Sequence, residues 1–544
     1  MKVNRFVLIL ILLCSLPVHA QPYFPRPKLV VTIVIDQMRQ DYLTRYWDLY
    51  SENGFKKVVN NGFNFANSHF SYYPTYTAAG HANVSTGATP AMHGIVGNDW
   101  YDNKTGEKVY CTTDRSVRGV GTESSAGQMS PANLKSSTLG DELKLATNQQ
   151  SRVFGVALKD RGAILCAGHS ADAAYWYDSG EGKFVTSSYY MNDLPKWVNE
   201  FNKKKLWDKY TDQTWLPVKK MEILEKVSDQ DNSLFENKFD GKDNTTFPYP
   251  LKELKKKAGP ELIATTPWGN TMTFDFAKAL IRAENLGKKE TTDVLYVSLS
   301  STDYIGHFFG PRAVETADTY LRLDLDLADF IRTLEDQVGK DNFILVITAD
   351  HGAADNPGYY KSKKLPGGNF NGNIVNVSLR EHLEKVFGKD LIGGFKNMQI
   401  YLNQEEIAAL GLNIATVNDT IIAFLKFQPG IQRVFPAGIL AAGGITDEIL
   451  LKYQRGYTPD RCGDIYIQLL PGWIDMNWSE FGTTHGSPYS YDTHAPMLFY
   501  GKNIPKGFTY DRTAISQIAP TVAALLGITP PNGTVEAPLI RYFK

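Results

Sequence analysis

Leu29-Val30-Val31-Thr32-Ile33-Val34-Ile35, followed at once by Asp36, is the stretch that decides the fold. A half-exposed strand would alternate apolar and polar residues. A continuous β-branched run instead reads as a strand covered on both faces, as in a parallel sheet. Two later runs have the same form. Val294 to Leu299 leads into Ser300-Ser301-Thr302-Asp303, and Phe343 to Thr348 leads into Ala349-Asp350-His351-Gly352. In open α/β sheets ligands bind beyond the carboxyl ends of the strands, so three strands direct acidic and imidazole groups to one edge. Between the second and third runs, Tyr320, Leu323, Leu327, Phe330 and Leu334 recur at helical spacing, and Gly339 ends the helix. A strand–helix–strand unit of this kind predicts that the two flanking strands are parallel neighbours. Near the C-terminus, Ile515 to Leu526 reads as a helix bent or restarted at Pro520.

The rest of the chain fits a large α/β protein. Of 544 residues, 43% are hydrophobic and 21% charged, enough to bury a full core and too ordered a mixture for global disorder. Lys+Arg number 57 against 58 Asp+Glu, so the basic surplus of a nucleic-acid binder is missing. Lys2 and Arg5 precede an apolar run, Phe6 to Leu16, that is too short to span a bilayer. With Val18-His19-Ala20 behind it, this reads as a signal peptide cut after Ala20, which predicts a periplasmic or secreted protein without a membrane span. Leu13 is a poor residue to precede a lipidated Cys14. Cys111, Cys166 and Cys462 then permit at most one intramolecular disulfide and match no zinc spacing. The mature domain, 21–544, carries two tracts of weaker pattern, near 185–265 and 365–470, read as insertions that cap the sheet edge.

Asp36, Asp303, His307, Asp350 and His351 all follow predicted strands, and Thr484-His485-Gly486 offers a further imidazole. Asp303 and His307 are four apart, on one face if a helical turn follows the strand. Carboxylate oxygen with imidazole nitrogen is the donor set of a catalytic zinc site. There are too many such groups for one tetrahedral ion, and two neighbouring ions use them all. Each residue taken singly is as well explained as a helix cap or turn residue; their recurrence after three strands carries the reading. His494 is either a partner behind the ligands or a strand-edge residue, and His169 has no acidic partner in sequence.

The segment Tyr72-Tyr73-Pro74-Thr75-Tyr76-Thr77-Ala78-Ala79-Gly80-His81 continues to Thr86-Gly87 and His93-Gly94-Ile95-Val96-Gly97-Asn98. The small residues after Thr77 let a helix begin there and pack closely. A hydroxyl at a helix N-terminus meets free N–H groups and the positive end of the dipole, which favour phosphate and an ionised oxygen. Thr75 or Thr77 as a plain helix cap explains the local sequence equally well.

Taken in order, Asp36, Pro74-Thr75-Tyr76-Thr77 with Gly80-His81, the His93 to Asn98 sequel, Asp303 with His307, Asp350-His351-Gly352, Thr484-His485-Gly486 and the tail from Ile515 to Ile528 resemble the alkaline phosphatase superfamily, in its branch related to nucleotide pyrophosphatases/phosphodiesterases. The resemblance spans nearly the whole mature chain and implies a three-layer α/β sandwich around a mostly parallel sheet. It implies two Zn2+ ions, one held by Asp303, His307 and His485, the other by Asp36, Asp350, His351 and the Thr77 oxygen. It also implies that Thr77 is the nucleophile and carries a covalent phosphothreonine, since zinc lowers the pKa of a bound hydroxyl.

A phosphate monoester dianion needs more fixed positive charge than a diester. Asn98 supplies an amide donor. Lys159 and Arg161 follow the apolar run Val153 to Leu158 and alternate onto one side if the segment is extended. This Lys-x-Arg resembles the phosphate clamp of the threonine-nucleophile, phosphate-irrepressible periplasmic alkaline phosphatases, and implies small-molecule phosphate monoesters as substrates with broad tolerance of the leaving group. A phosphodiesterase of the same fold is the alternative enzyme, and a non-catalytic, zinc-stabilised binding protein is the alternative outside enzymes. The sulfatase Cys/Ser-x-Pro-x-Arg motif is missing at Pro74-Thr75-Tyr76-Thr77.

Overall fold

The computed structural model describes residues 24–476 and 479–543. The leader read at residues 1–20, with Cys14 and the cleavage after Ala20, lies outside the described residues. The elements that position the site are, in chain order, β1 (Leu29–Ile35), α1 (Thr77–Thr86), β2 (Val153–Ala157), α2 (Asp160–Ala167), β3 (Ala173–Asp178), α3 (Trp268–Ala283), β4 (Asp293–Leu299), α4 (Ser301–Phe309), α5 (Val314–Gln337), β5 (Phe343–Thr348) and β6 (Met497–Gly501).

Every residue of β1, β4 and β5 is buried, as unbroken apolar runs require when both faces are covered. β1 pairs in parallel with β4 (Leu29 opposite Asp293, Ile35 opposite Leu299) and with β5 (Leu29 opposite Phe343, Val34 opposite Thr348). This corrects the expected topology. β4 and β5 are parallel, but they are not neighbours, because β1 lies between them and the crossover through α5 steps over it. A helical crossover fixes the relative direction of two strands and leaves open whether a third separates them. β1 is apolar on both sides and takes the slot that buries it most. The sheet continues through β2 and β3, both parallel, on one side and antiparallel β6 on the other. Among the described residues it has ten strands, the outer ones short.

Helices cover both faces. A Cβ on Gly155 in β2 would stand 2.2 Å from the Ala163 carbonyl, so only glycine lets α2 lie this close to the sheet. Val156 and Tyr175, opposite each other across β2 and β3, point to the other face, where the Tyr175 ring meets Phe276 of α3 at 5.3 Å. This is the three-layer α/β arrangement. Within the two tracts of weaker sequence pattern, Lys196–Lys203, Leu206–Thr211 and Leu251–Ala258 are helical. Ile392–Lys396, Gln399–Leu402, Ile465–Leu469 and Ile431–Pro436 form a separate four-stranded sheet with its own apolar cluster around Leu383, Ile400 and Ile421.

The C-terminal helix restarts before Pro520 rather than at it. A 3-10 turn, Ile515–Gln517, gives way to Ile518–Leu526, which places the proline in a first turn where its missing N–H costs nothing. Cys111, Cys166 and Cys462 are three separate buried thiols. Among the described residues no helix is long and apolar enough to cross a membrane.

Candidate active site

The parallel register assembles the site. Asp36 leaves the end of β1, Asp350 lies two residues past β5, and Asp303 stands in the first turn of α4 just beyond β4. All three carboxylates are buried, none more than 3% exposed. Gln37 locks them together. Its φ of 62° is left-handed, a conformation that costs a non-glycine residue energy. In return its backbone N–H donates to Asp350 Oδ1 (3.0 Å) and its amide to Asp303 Oδ1 (2.7 Å). Lys159 Nζ lies 3.1 Å from Asp36 Oδ2 and 2.5 Å from Asp303 Oδ2. Burial works against ionisation of Asp36, yet Lys159 and His81 beside it hold the carboxyl at about 2. Burial likewise opposes ionisation of Asp303, and His307 and Lys159 outweigh it, keeping this group well below the usual carboxylate range.

The imidazoles are oriented from behind. His307 Nδ1 pairs with the Thr483 carbonyl (2.8 Å), His351 Nδ1 with the Gly352 carbonyl (2.9 Å) and His485 Nδ1 with the Thr75 carbonyl (2.8 Å). In each the Nε2 edge turns inward. His307 Nε2 is 3.2 Å from Asp303 Oδ1, and His351 Nε2 is 3.2 Å from Asp350 Oδ2. His485 Nε2 is 3.7 Å from Asp303 Oδ1. A ring fixed through one nitrogen by a carbonyl, with the other nitrogen turned to the carboxylates, is how proteins present a metal-binding histidine. The His351 and His485 rings stack at 3.4 Å. Burial and the neighbouring His351 depress the His485 pKa well below its ordinary value, so its ring is held neutral, the form that binds a cation.

His81 answers to the same distances but plays another part. Its ring nitrogens lie 3.3 Å from Asp36 Oδ1 and 3.6 Å from Asp350 Oδ2. Both nitrogens are already engaged, Nδ1 by the Thr77 carbonyl (2.9 Å) and Nε2 by Ser298 Oγ (3.0 Å). We therefore read His81 as a brace between α1 and the carboxylates. Nothing in an Asp-Gln pair, a strand serine or a histidine one turn past Thr77 advertises these contacts of Gln37, Ser298 and His81 in the sequence.

Thr77 is the first residue of α1, and its hydroxyl oxygen stands 3.3 Å from His351 Nε2. The helix is built of small residues because it lies against the Asp350 loop: a Cβ on Gly80 would fall 2.1 Å from the Asp350 carbonyl. Gly80→Ala is therefore expected to push α1 off this loop, costing about 1–3 kcal/mol of stability and lowering kcat/KM at least ~10-fold through displacement of Thr77. Thermal denaturation and steady-state kinetics check both; wild-type values for both would show that this close approach does not position Thr77.

Asn98 Oδ1 accepts the Ala78 N–H at 3.0 Å, which leaves the amide NH2 as a donor beside the helix N-terminus. Lys159 and Arg161 are not on an extended segment, contrary to the sequence reading. Lys159 is the N-cap of α2 and Arg161 lies in its first turn. The chain turns into a helix as soon as β2 ends because Gly162 and Ala163 let α2 pack directly beneath the sheet. Lys159 turns to Asp36 and Asp303, whereas Arg161 Nη1 donates to the Tyr110 hydroxyl (3.1 Å) with its Nε buried and unpaired. His494 is remote from the ligand set; it stacks on His69 at 4.5 Å and pairs with the Ala66 carbonyl. His169 donates its backbone N–H to Asp141.

These residues fit bound dications. Two of the three buried carboxylates, Asp36 and Asp303, face Lys159, three anchored imidazoles turn their Nε2 edges inward, and Oδ2 of the third carboxylate, Asp350, is buried without a hydrogen-bond partner. Asp303, His351 and His485 offer donor atoms all within 4.8 Å of one another.

Residues 30–488 match the family model described as type I phosphodiesterase / nucleotide pyrophosphatase. The chain is 46% identical over 528 residues, 96% of each chain, to a Myroides odoratus protein named calcium-transporting ATPase. It is 44% identical over 522 residues to alkaline phosphatase PafA of Elizabethkingia meningoseptica, covering 95% of this chain and 94% of that one. The crystal structure of wild-type alkaline phosphatase PafA superposes with a TM-score of 0.93 at 42% identity, covering 96% of this chain and 99% of the other. The protein thus belongs to the type I phosphodiesterase/nucleotide pyrophosphatase family, on the branch of the PafA-type alkaline phosphatases.

Proposed function

We infer that this protein is an alkaline phosphatase, which hydrolyses phosphate monoesters, and we propose that it does so through a covalent phosphothreonine on Thr77. The observation that carries the proposal is the placement of Thr77 Oγ1 at the N-terminus of a buried helix, 3.3 Å from His351, inside a ring of three buried aspartates and inward-turned histidines. We propose that Asp303, His307 and His485 hold one zinc ion, and Asp36, Asp350 and His351 with the Thr77 oxygen a second. When bound, such ions supply Lewis acidity that favours the ionised Thr77 oxygen and neutralises charge on the departing one.

The remaining work falls to the chain. The phosphoryl group lies against the first turn of α1, where N–H groups and the dipole favour its negative charge. The Asn98 amide and Arg161 bind its nonbridging oxygens. Thr77 loses its proton, its Oγ bonds to phosphorus in line, and the alcohol leaves with a proton. Water then cleaves the phosphothreonine, releasing inorganic phosphate and restoring the hydroxyl. Lys159 keeps Asp36 and Asp303 in place.

The family description names phosphodiesterases, so diester hydrolysis is the competing reading. The Arg161 guanidinium favours the monoester, whose dianion gains more from fixed charge. Comparing kcat/KM for an aryl phosphate and its methyl diester tests this. A monoester preference of about 100-fold or more is expected; a preference for the diester would overturn the reading. The relative named as an ATPase is compatible on the hydrolytic side, since ATP presents a terminal phosphoryl group to such a site. From the leader read at residues 1–20 we propose a periplasmic or secreted location.

A further inference from the structure

Arg161 keeps a buried donor that no described residue satisfies. Its Nη1 is taken by the Tyr110 hydroxyl at 3.1 Å, while its Nε is buried without a hydrogen-bond partner. Among the described residues no hydrogen bond engages its Nη2 either. A buried, unpaired guanidinium N–H is costly unless a ligand accepts from it. Nε and Nη2 together form the edge with which a guanidinium grips an oxyanion through two parallel bonds.

The Tyr110 hydroxyl decides where that edge can point. A phenol has one proton to give. Tyr110 gives it to Asp160 Oδ1 at 2.7 Å, which leaves the phenol oxygen to accept from Arg161 Nη1. Asp160 is held in turn, because its Oδ2 accepts the Thr112 hydroxyl at 2.6 Å. Thr112 is fully buried and Tyr110 half-buried. Burial works against the charge on Arg161, and Tyr110 and Asp160 beside it outweigh that effect, so the guanidinium stays protonated.

The same segment is tied to Asn98. The short strands Asp99–Tyr101 and Lys108–Tyr110 pair antiparallel, with Asp99 opposite Tyr110. The next N–H, that of Cys111, donates to the Asn98 carbonyl at 2.9 Å. Residues 110–112 therefore touch both groups read as ligands of the nonbridging oxygens, Asn98 through the backbone and Arg161 through the phenol.

We propose that Tyr110 is a positioning residue, whose hydroxyl, braced by Asp160, turns the Nε–Nη2 edge of Arg161 to the phosphoryl group and so sets the preference for monoester over diester. The inference rests on the reading of Arg161 as a phosphoryl ligand. Tyr110 acts through Arg161 and not on the substrate, and only its hydroxyl is involved.

The test uses the full-length, metal-loaded protein with the aryl phosphate and its methyl diester. Tyr110→Phe removes one oxygen and keeps the ring, so circular dichroism and Tm should match the wild type. For the monoester, kcat/KM is expected to fall about 10-fold, and for the diester by less than ~3-fold, since a misaimed donor costs less than an absent one. Inorganic phosphate, as a competitive inhibitor, should bind about 10-fold more weakly. In an Arg161→Ala background Tyr110→Phe should add less than ~2-fold, as expected of two residues that act as one unit. Thr112→Val frees Asp160 Oδ2 while leaving Tyr110 in place, and should shift the monoester-to-diester ratio the same way by a smaller amount. An unchanged ratio in Tyr110→Phe would overturn the inference, as would a full second loss on top of Arg161→Ala. Either result leaves the phosphatase reading standing; that reading falls only if the wild type itself fails to hydrolyse, or disfavours, the monoester.

Discussion

Thr77→Ala protein is expected to fold, to keep the metal proposed to bind beside it and to turn over aryl phosphate at least ~10^3-fold more slowly than wild type. The reason lies in what alanine leaves untouched. Thr77 is the first residue of α1, where alanine is a good helix former, and Gly80 and His81 still seat the helix against Asp350 and Asp36. The loss is therefore confined to the oxygen proposed to bond to phosphorus. Acid-quenched protein should show a phosphorylated wild type by intact mass and no phosphorylated Thr77→Ala. Thr77→Ser keeps a hydroxyl in the same place and should still be trapped as a phosphoprotein. Near-normal turnover by the alanine variant would remove Thr77 as the nucleophile.

The second large effect separates two neighbouring cations. Arg161→Ala is expected to lower kcat/KM for a monoester by about 10^2-fold, the usual consequence of deleting one preorganised donor to a reacting oxygen, and for a diester by far less. Lys159→Ala should behave differently. Burial works against the charge on Lys159, but Asp303 and Asp36 outweigh it and raise its pKa, so the cation persists through the alkaline range. Removing it leaves two buried carboxylates facing each other and is expected to cost about 3–5 kcal/mol of stability in metal-free protein. Monoester and diester hydrolysis should then fall together. Differential scanning calorimetry with and without zinc, beside the two rate constants, checks this. Equal losses on both substrates from Arg161→Ala would place that residue in the fold and not on the phosphoryl group.

Much of this could be read from sequence because the site hangs on strand ends. An unbroken apolar run announces a covered strand, and an acid immediately after it announces the sheet edge, so Asp36, Asp303 and Asp350 were visible as one set. What stayed hidden depends on three-dimensional order. The slot of β1 between β4 and β5 follows from competition for burial among strands that look alike in sequence. The helical setting of Lys159 and Arg161 was masked because α2 begins without a recognisable cap residue, its N-cap being Lys159 itself. Gln37 was missed because its contribution rests on a left-handed backbone that the residue type does not predict.

The register that places Asp36, Asp303 and Asp350 side by side also means that the catalyst has no partial form. The residues proposed to bind metal are drawn from position 36 to position 485. A chain cut short before position 485 keeps β1, β4 and β5 and still lacks His485. On the proposed assignment such a fragment has an incomplete ligand set.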